Sequence, residues 1–494
     1  MVKDVAGRRT VEVEVAVVGG GVSGLATAYW LAAEHGVDVI VLEAGNQLGG
    51  KVSTQSLAGM PVDTGPDAFL SRGPDLAELV ERLGLGDEVV GPLPGGASIW
   101  SRGRMRPIPQ GSAFGIPDRV VPLLRSRLLS PTAVLRAGLD FVLPRTPLGD
   151  DPTVAQVVGP RLGGQVVERL VQPLLGGVHA GSVDRLSARS TVPDVVHLAG
   201  SSRSLVLALR RRRRAAPVPT TPPAPPLVSL RGGLGRLVGA LVDAVGRQRV
   251  VTGAPATGLQ RAAHGWRVET PAVDVLATTV VLAAPAHAVA GLVAAAAPEL
   301  ADELAGIEYV DVATVTLALP KDEVGELTGT GFLVPPVEGA MLVGCTWLTS
   351  KWPHLAGSDT VLLRCMVGRD GEDRWTTMDD AELVAAVRAD LARTMQLTAA
   401  PTETLVQRWP RAIPQYVVGH SERLERLDAL VPDGIRLTGA AYRGSGLAAC
   451  VASARATAMA VAADLVLDTV DLSDPTGCER PGPSPHPSLQ GATP

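Results

Sequence analysis

The chain has 494 residues, 46% hydrophobic and 19% charged, with 55 Gly, 40 Pro and a formal net charge of −5. Its length suggests about three domains, and a chain this apolar can bury a large core, which excludes disorder along its whole length. Near-neutral charge excludes the basic field of a dedicated nucleic-acid binder.

Residues 1–10 are polar and the apolar run that starts at Val15 is broken by glycines, so no secretory core is expected. Strict alternation over 11–15, then an apolar run to Val18, reads as a strand entering a buried sheet. A helix is expected after Gly24 until Gly36, and a second strand over 37–42, which gives β, α, β within about 30 residues. Residues 119–214 read as helical and end in five arginines, Arg210 to Arg214. That run has three readings: a solvated helix end, a contact for acidic lipid headgroups, or a nucleic-acid patch, in that order. Residues 215–226 hold six prolines and no charge and should be an extended loop.

Further short apolar strands are expected at 249–252, 278–283 and 435–438, so one sheet is assembled from distant segments. Residues 275–298 carry no Asp, Glu, Lys or Arg, as a membrane helix would. Their β-branched start and Pro285 favour a buried strand followed by an Ala-rich helix. From Asp468 the chain turns to Ser, Pro and Gly and should be floppy. The four cysteines, Cys345, Cys365, Cys450 and Cys478, lack the close spacing of zinc ligands or a redox pair, which suits a reducing cytoplasm.

Gly19, Gly21 and Gly24 form G-x-G-x-x-G between the first strand and its helix. Gly19 must turn tightly, Gly21 must let a pyrophosphate come close, and Gly24 must let helix press on strand. Backbone N–H groups at Val22 and Ser23 and the positive helix end then face the phosphates. Glu43 closes the second strand, placed to accept hydrogen bonds from a ribose and to disfavour a 2′-phosphate. FAD and NAD both fit this fingerprint.

The residues that follow resemble the FAD family containing amine oxidases, phytoene desaturases and protoporphyrinogen oxidases. Ala44 leads through Gln47 into Gly49, Gly50 and Lys51, similar to that family's second glycine pair, with Gln47 where an Arg is usual. Gly65, Pro66, Asp67, Ala68 and Phe69 resemble the G-P-D-x-F segment of protoporphyrinogen oxidases and coproporphyrinogen III oxidases. QPLLGGVHAG (172–181), RGGL (231–234), GFLVP (331–335), GCTWLTSKWP (344–353), VGR (367–369) and RWPRAIPQY (408–416) agree in order along the chain. LTGAAYRGSGLAACVAS (437–453) resembles the C-terminal flavin segment, with Ala448 and Ala449 where Pro and Asp are usual.

The resemblance implies an α/β fold with α+β elements: a discontinuous Rossmann-like FAD-binding domain (11–75, 228–300 and 405–468), a helical insertion domain able to face a membrane (93–214), and a mixed-sheet substrate domain (76–92 and 301–404). A Pro-rich loop (215–227) and a disordered tail (469–494) complete it. It implies FAD as cofactor, with Val251, Trp409, Gly439, Gly446, Leu447 and Cys450 joining the residues above around it. The Ala-rich helix after Gly446 would point its positive end at the reduced flavin. The implied reaction removes six electrons from coproporphyrinogen III, and also from protoporphyrinogen IX, as hydrides passed to flavin N5. Dioxygen takes the electrons and leaves as peroxide.

For the substrate, Arg72 is the preferred propionate partner, ahead of Arg102, Arg104 and Arg106. By resemblance, backbone at Gly176, Gly177 and Val178 approaches the macrocycle and Leu333 and Trp347 wall it. His179 and His420 are read as structural rather than as bases, and Cys450 as a packed thiol. No metal is expected. The expected setting is the cytoplasm, at most peripheral to the membrane, with a haem-pathway ferrochelatase as a possible partner. The alternatives are an FAD amine oxidase, which would want a lysine near N5 although only Lys3, Lys51, Lys321 and Lys351 exist, and a catalytically silent porphyrin-binding protein with the same fold.

Overall fold

The computed structural model describes residues 2–5, 8–109, 111–113, 115–215 and 225–471. The fingerprint strand Arg8–Val18 is central to a sheet whose parallel members come from four regions of the chain. Val250–Val251, Val39–Leu42, Arg8–Val18, Asp274–Leu282 and Ile435–Leu437 lie side by side in that order. Buried on both faces, these strands read as continuous apolar runs. The helices Val22–His35, Gly235–Val245 and Leu447–Asp471, together with Pro74–Arg82, cover one face. Ala286–Val293 and Pro298–Ala305 cover the other. The 275–298 run therefore divides as expected into strand and helix, because β-branched residues fill the sheet and Pro285 starts the turn.

The second sheet has seven strands: Glu403–Pro414, Tyr309–Pro320, Thr360–Val367, Leu342–Trp347, Gly331–Leu333, Ala97–Ser101 and Arg104–Pro107. Neighbours are antiparallel except Gly331–Leu333 with Ala97–Ser101. The helix Asp380–Met395 backs one face, with Leu383, Val387 and Leu391 buried against Val315, Cys345 and Cys365. On the other face Ile99 and Leu333 pack with the helical domain, and Ala318 and Leu362 pack with the hairpin Thr54–Asp63.

Several expected boundaries shift. Residues 97–107 belong to the seven-stranded sheet, not the helical domain, because the hairpin Ala97–Pro107 completes its edge. Glu403–Pro414 also joins that sheet, paired along Tyr309–Pro320. Residues 76–85 pack with the first sheet instead, since Leu76, Leu79, Val80 and Leu85 enter its core. At the proline-rich stretch, the strand Leu227–Leu230 already pairs with Leu70 and Phe69, while residues 216–224 lie outside the described residues. The last helix runs to Asp471, so 469–471 are helical. The rest of the expected tail, with Cys478, lies outside the described residues.

The helical domain encloses its own core around Leu123, Val158, Leu170 and Leu205. Asp140, fully buried, pairs with Arg161 at 2.9 Å and accepts from Ser204 Oγ and the amides of Leu205 and Val206. That anchors the start of Leu205–Ala215, the helix carrying the arginine run. Arg212 and Arg213 reach Asp194 and Asp118 at 2.8 and 2.7 Å, which fits a solvated helix end, each pair worth about 0–1 kcal/mol. Within this domain a π-helical turn, Val167–Val171, precedes Gln172–His179. Pro173 cannot donate to the turn before it and its ring crowds the carbonyl four residues back, so the helix widens there.

Candidate functional site

The glycines of the fingerprint are demanded by space. A Cβ on Gly24 would lie 1.9 Å from the Gly19 carbonyl oxygen, and one on Gly19, whose φ is +114°, would lie 2.9 Å from the Ala283 backbone. The helix starts at Val22, three residues earlier than expected, so Gly21 is its cap. The amides of its first turn have no acceptor inside the helix and are left for an anion.

Glu43 ties this turn to the next. Its carboxylate accepts from the amides of Gly20 at 2.7 Å and Gly45 at 2.8 Å, while its own amide donates to the Val251 carbonyl. Ala44 is exposed beside it. Gly49 donates to the Gly20 carbonyl at 2.8 Å. A Cβ on Gly50 would sit 3.3 Å from Gly21 Cα, so the two glycine loops lie back to back. Lys51 follows. Burial lowers its pKa, and no ion pair holds it among the described residues. A partly buried cation without an acid, beside a helix N-terminus, fits a phosphate-bearing ligand.

Gly65 lies against that lysine's backbone, since a Cβ there would be 1.7 Å from the Lys51 carbonyl oxygen. Pro66 is exposed. Asp67, grouped by resemblance with the cofactor residues, spends its oxygens elsewhere: on Lys351 Nζ at 2.8 Å, Arg364 at 3.5 Å and Trp352 Nε1 at 3.3 Å. Burial would raise its pKa, but the two cations overcome this and hold it at about 2. Asp67 thus fastens the 63–67 segment to the seven-stranded sheet. Trp409 does the same, its Nε1 donating to the Thr64 carbonyl at 3.0 Å.

The C-terminal segment closes the site from the other side. Gly439, with φ +124°, passes Ser23 Oγ at Cβ distance 3.9 Å, and the Cβ position of Gly446 opens into free space. Leu447 begins the last helix, and Cys450 in its first turn hydrogen-bonds Ser23. Burial pushes the Cys450 thiol up despite Lys51 nearby, which makes it a packed thiol. Gly19, Ser23, Gly24, Gly49, Gly50, Lys51, Gly439 and Cys450 therefore gather around the helix N-terminus as a glycine cradle: Gly19, Gly24 and Gly49 let backbone pack closely, while the Cβ positions of Gly21, Gly439 and Gly446 stay clear.

On the inner face of the seven-stranded sheet, Leu333 pairs with Gly344 and points at Gly177, whose Cβ position is 3.5 Å from Leu333 Cδ2. Met366 reaches the same spot, 3.1 Å from the Cβ position of Gly344. Gly176 is buried against Gln172, and Val178 is exposed at the helix end. Trp347 is not part of this wall. It shares the opposite face with Cys345 and Phe332, in the core against Asp380–Met395, because side chains alternate along its strand.

Arg72 is exposed, free of any ion pair among the described residues, next to Gly73, whose Cβ position lies 2.8 Å from Ala448 Cβ. Arg102 and Arg104 are exposed at the tip of the edge hairpin. Arg106 pairs with Ile99, which pairs with Leu333, and its Nε is buried without a partner.

Sequence reasoning missed an aromatic group beside the C-terminal loop. Tyr416 donates to the Ala440 carbonyl at 2.6 Å and accepts from the Gly444 amide at 2.9 Å. Its ring stacks on His420 at 4.1 Å, and His420 Nε2 bonds the Tyr442 carbonyl, which leaves it structural as expected. Tyr309 accepts from the Ala286 amide and meets His287 edge-on at 5.0 Å. Three of the four tyrosines gather here, a signal hidden in the sequence because they lie on separate segments. Among the described residues no cluster of His, Cys, Asp and Glu could hold a metal.

Comparison with known proteins agrees with this construction. Residues 22–463 match the family described as flavin containing amine oxidoreductase. The coproporphyrinogen III oxidase of Bacillus subtilis (strain 168) is 32% identical over 454 residues, 90% of this chain and 96% of that protein. The chloroplastic protoporphyrinogen oxidase of Oryza sativa subsp. japonica is 32% identical over 478 residues, 90% of this chain and 87% of that one. A solved structure of a candidate protoporphyrinogen oxidase from Exiguobacterium sp. 255-15 superposes with TM-score 0.82 and 31% identity, covering 91% of this chain and 99% of that chain. FAD is the cofactor that the glycine cradle, Glu43 and Lys51 fit. The chain belongs to the flavin containing amine oxidoreductase family.

Proposed function

We propose that the protein oxidises coproporphyrinogen III to coproporphyrin III, accepts protoporphyrinogen IX as well, and passes the electrons to dioxygen. The observation that carries this reading is the full-length similarity to coproporphyrinogen III oxidases. Bound FAD supplies a two-electron acceptor. Six hydrogens leave the macrocycle in three rounds, and three dioxygen become three hydrogen peroxide. The protein's share is binding, orientation and exclusion of water. Leu333, Met366 and the glycine backbone at 176–177 offer apolar walls for the substrate slot, and Arg72, exposed and unpaired among the described residues, offers a carboxylate partner.

The amine oxidase reading is disfavoured by the lysines. Lys351 is committed to Asp67, Lys321 is exposed on a short helix remote from the slot, and Lys51 lies beside Cys450. The silent-protein reading rests on Gln47, which is exposed, and on Ala448 and Ala449, which pack against Gly73 and Gly444. Neither change blocks the cradle.

The proposal places the protein in the cytoplasm. Val121, Leu124, Leu135, Leu139, Phe141 and Val142 are exposed on the helical domain, which supports a peripheral contact with anionic membrane; a haem-pathway ferrochelatase is the partner proposed. The deciding assay mixes the flavoprotein with coproporphyrinogen III in air and follows porphyrin fluorescence and peroxide. Porphyrin with threefold peroxide is expected. A rate no higher than autoxidation would falsify the oxidase reading, and amine-dependent peroxide would favour the alternative.

A further inference from the structure

His179 ends the helix Gln172–His179, directly after the glycine backbone that faces Leu333. Its place is fixed from three sides. Gln415 Nε2 donates to its carbonyl at 2.9 Å. Ala180 turns the chain away in the left-handed region, with φ +50°. Its ring lies 6.4 Å from that of Tyr416, whose hydroxyl is already engaged with Ala440 and Gly444. Nδ1 of His179 is buried and has no hydrogen-bond partner.

That orphaned nitrogen decides the ring's chemistry. A proton on Nδ1 would be an unpaired buried donor, which costs about 1–3 kcal/mol. Both the imidazolium and the Nδ1–H tautomer carry that proton, whereas the Nε2–H tautomer leaves only a lone pair buried. Burial disfavours the imidazolium and moves the pKa down. The groups facing the ring do not reverse this. Tyr416 is neutral, its own pKa raised by burial, and nearby Asp370 is paired with Arg185 at 2.9 Å. Nε2 is the ring nitrogen left for a ligand.

We propose that the Nε2–H of His179 donates to a carboxylate oxygen of the bound porphyrinogen, and that His179 is not its proton acceptor. The proposal rests on the porphyrinogen reading and names one positioning contact within it. A neutral donor orients a propionate without adding a charge that titrates near neutrality.

The test titrates the FAD-loaded protein with coproporphyrin III and with octaethylporphyrin, which lacks carboxylates, reading porphyrin fluorescence from pH 6 to 8.5. His179→Phe should weaken coproporphyrin binding roughly tenfold and leave octaethylporphyrin unchanged. His179→Gln, which keeps an N–H donor, should recover most of the loss, and its pH profile should match the wild type. The bound-flavin spectrum checks that each variant is folded. Equal coproporphyrin affinity in wild type and His179→Phe overturns the role of His179 alone. So does a wild-type ionisation within that range that disappears in His179→Gln. A wild type that binds neither porphyrin overturns the porphyrinogen reading and this contact together.

Discussion

Asp67 Oδ2 lies 2.8 Å from Lys351 Nζ, and this pair joins the segment after the second glycine loop to the seven-stranded sheet. Both side chains are largely buried, and Arg364 adds a second cation at 3.5 Å. Burial raises the Asp67 pKa and the cations lower it, leaving it near 2 against an ordinary value of 3.8. A carboxylate depressed in the folded state stabilises above its unfolded pKa and loses that contribution as pH falls toward 2. Asp67→Asn should therefore cost about 2–4 kcal/mol at pH 7, since it strands two buried cations. Urea melts should show the deficit shrinking toward pH 3. Unchanged stability at pH 7 would remove the pair from any structural role.

Asp63, four residues earlier, behaves in the opposite sense. Burial raises its pKa to about 6, although Thr54 Oγ1 and the Leu234 amide donate to it. Its ionised form is thus a liability of the folded state above pH 6, and native stability rises as pH falls from about 6 toward 4. Asp63→Asn keeps an acceptor for both donors. It should be more stable than the wild type by up to about 3 kcal/mol at pH 8, with the gain vanishing near pH 4. A variant destabilised at pH 8 but not at pH 4 would show that the carboxylate's charge matters to the RGGL loop after all.

Two glycines with similar freedom should respond differently. Gly24→Ala places a methyl 1.9 Å from the Gly19 carbonyl oxygen, so the turn must open. Gly36→Ala meets nothing within 4 Å and strains only a left-handed helix cap, at about 1 kcal/mol. Purified Gly24→Ala should carry little flavin per chain, while Gly36→Ala should carry the wild-type amount at a slightly lower melting temperature. Equal flavin content in both would mean the close turn is not what seats the cofactor.

What the sequence made legible was local. Strand, glycine turn, helix, second strand and Glu43 are contiguous, so their spacing alone builds the first half of the cradle. The membership of Glu403–Pro414 was not legible, because its partner Tyr309–Pro320 is separated from it by three other strands and several helices. Trp347 and Leu333 looked equivalent as apolar residues in matching motifs. A shift in register between Leu342 and Gly344 helps decide which faces the slot, and only the pairing reveals it. Tyr416 and Gly444 likewise meet through a fold that no window of sequence contains.

Arg72 is where the two kinds of information combine. Motif position nominates it, and the structure leaves it exposed, without an acid partner, beside Gly73 and Ala448 at the margin of the flavin segment. A guanidinium that pairs with a substrate carboxylate acts on binding rather than on the flavin. Arg72→Ala should accordingly raise KM for coproporphyrinogen III roughly tenfold or more, with kcat and the bound-flavin spectrum nearly constant. Arg72→Lys should recover only part of the loss, because an ammonium cannot form the two-point contact. If KM stays at the wild-type value, the propionate partner must be sought at the opposite edge, where Arg106 shares the sheet face of Leu333 and its Nε has no partner.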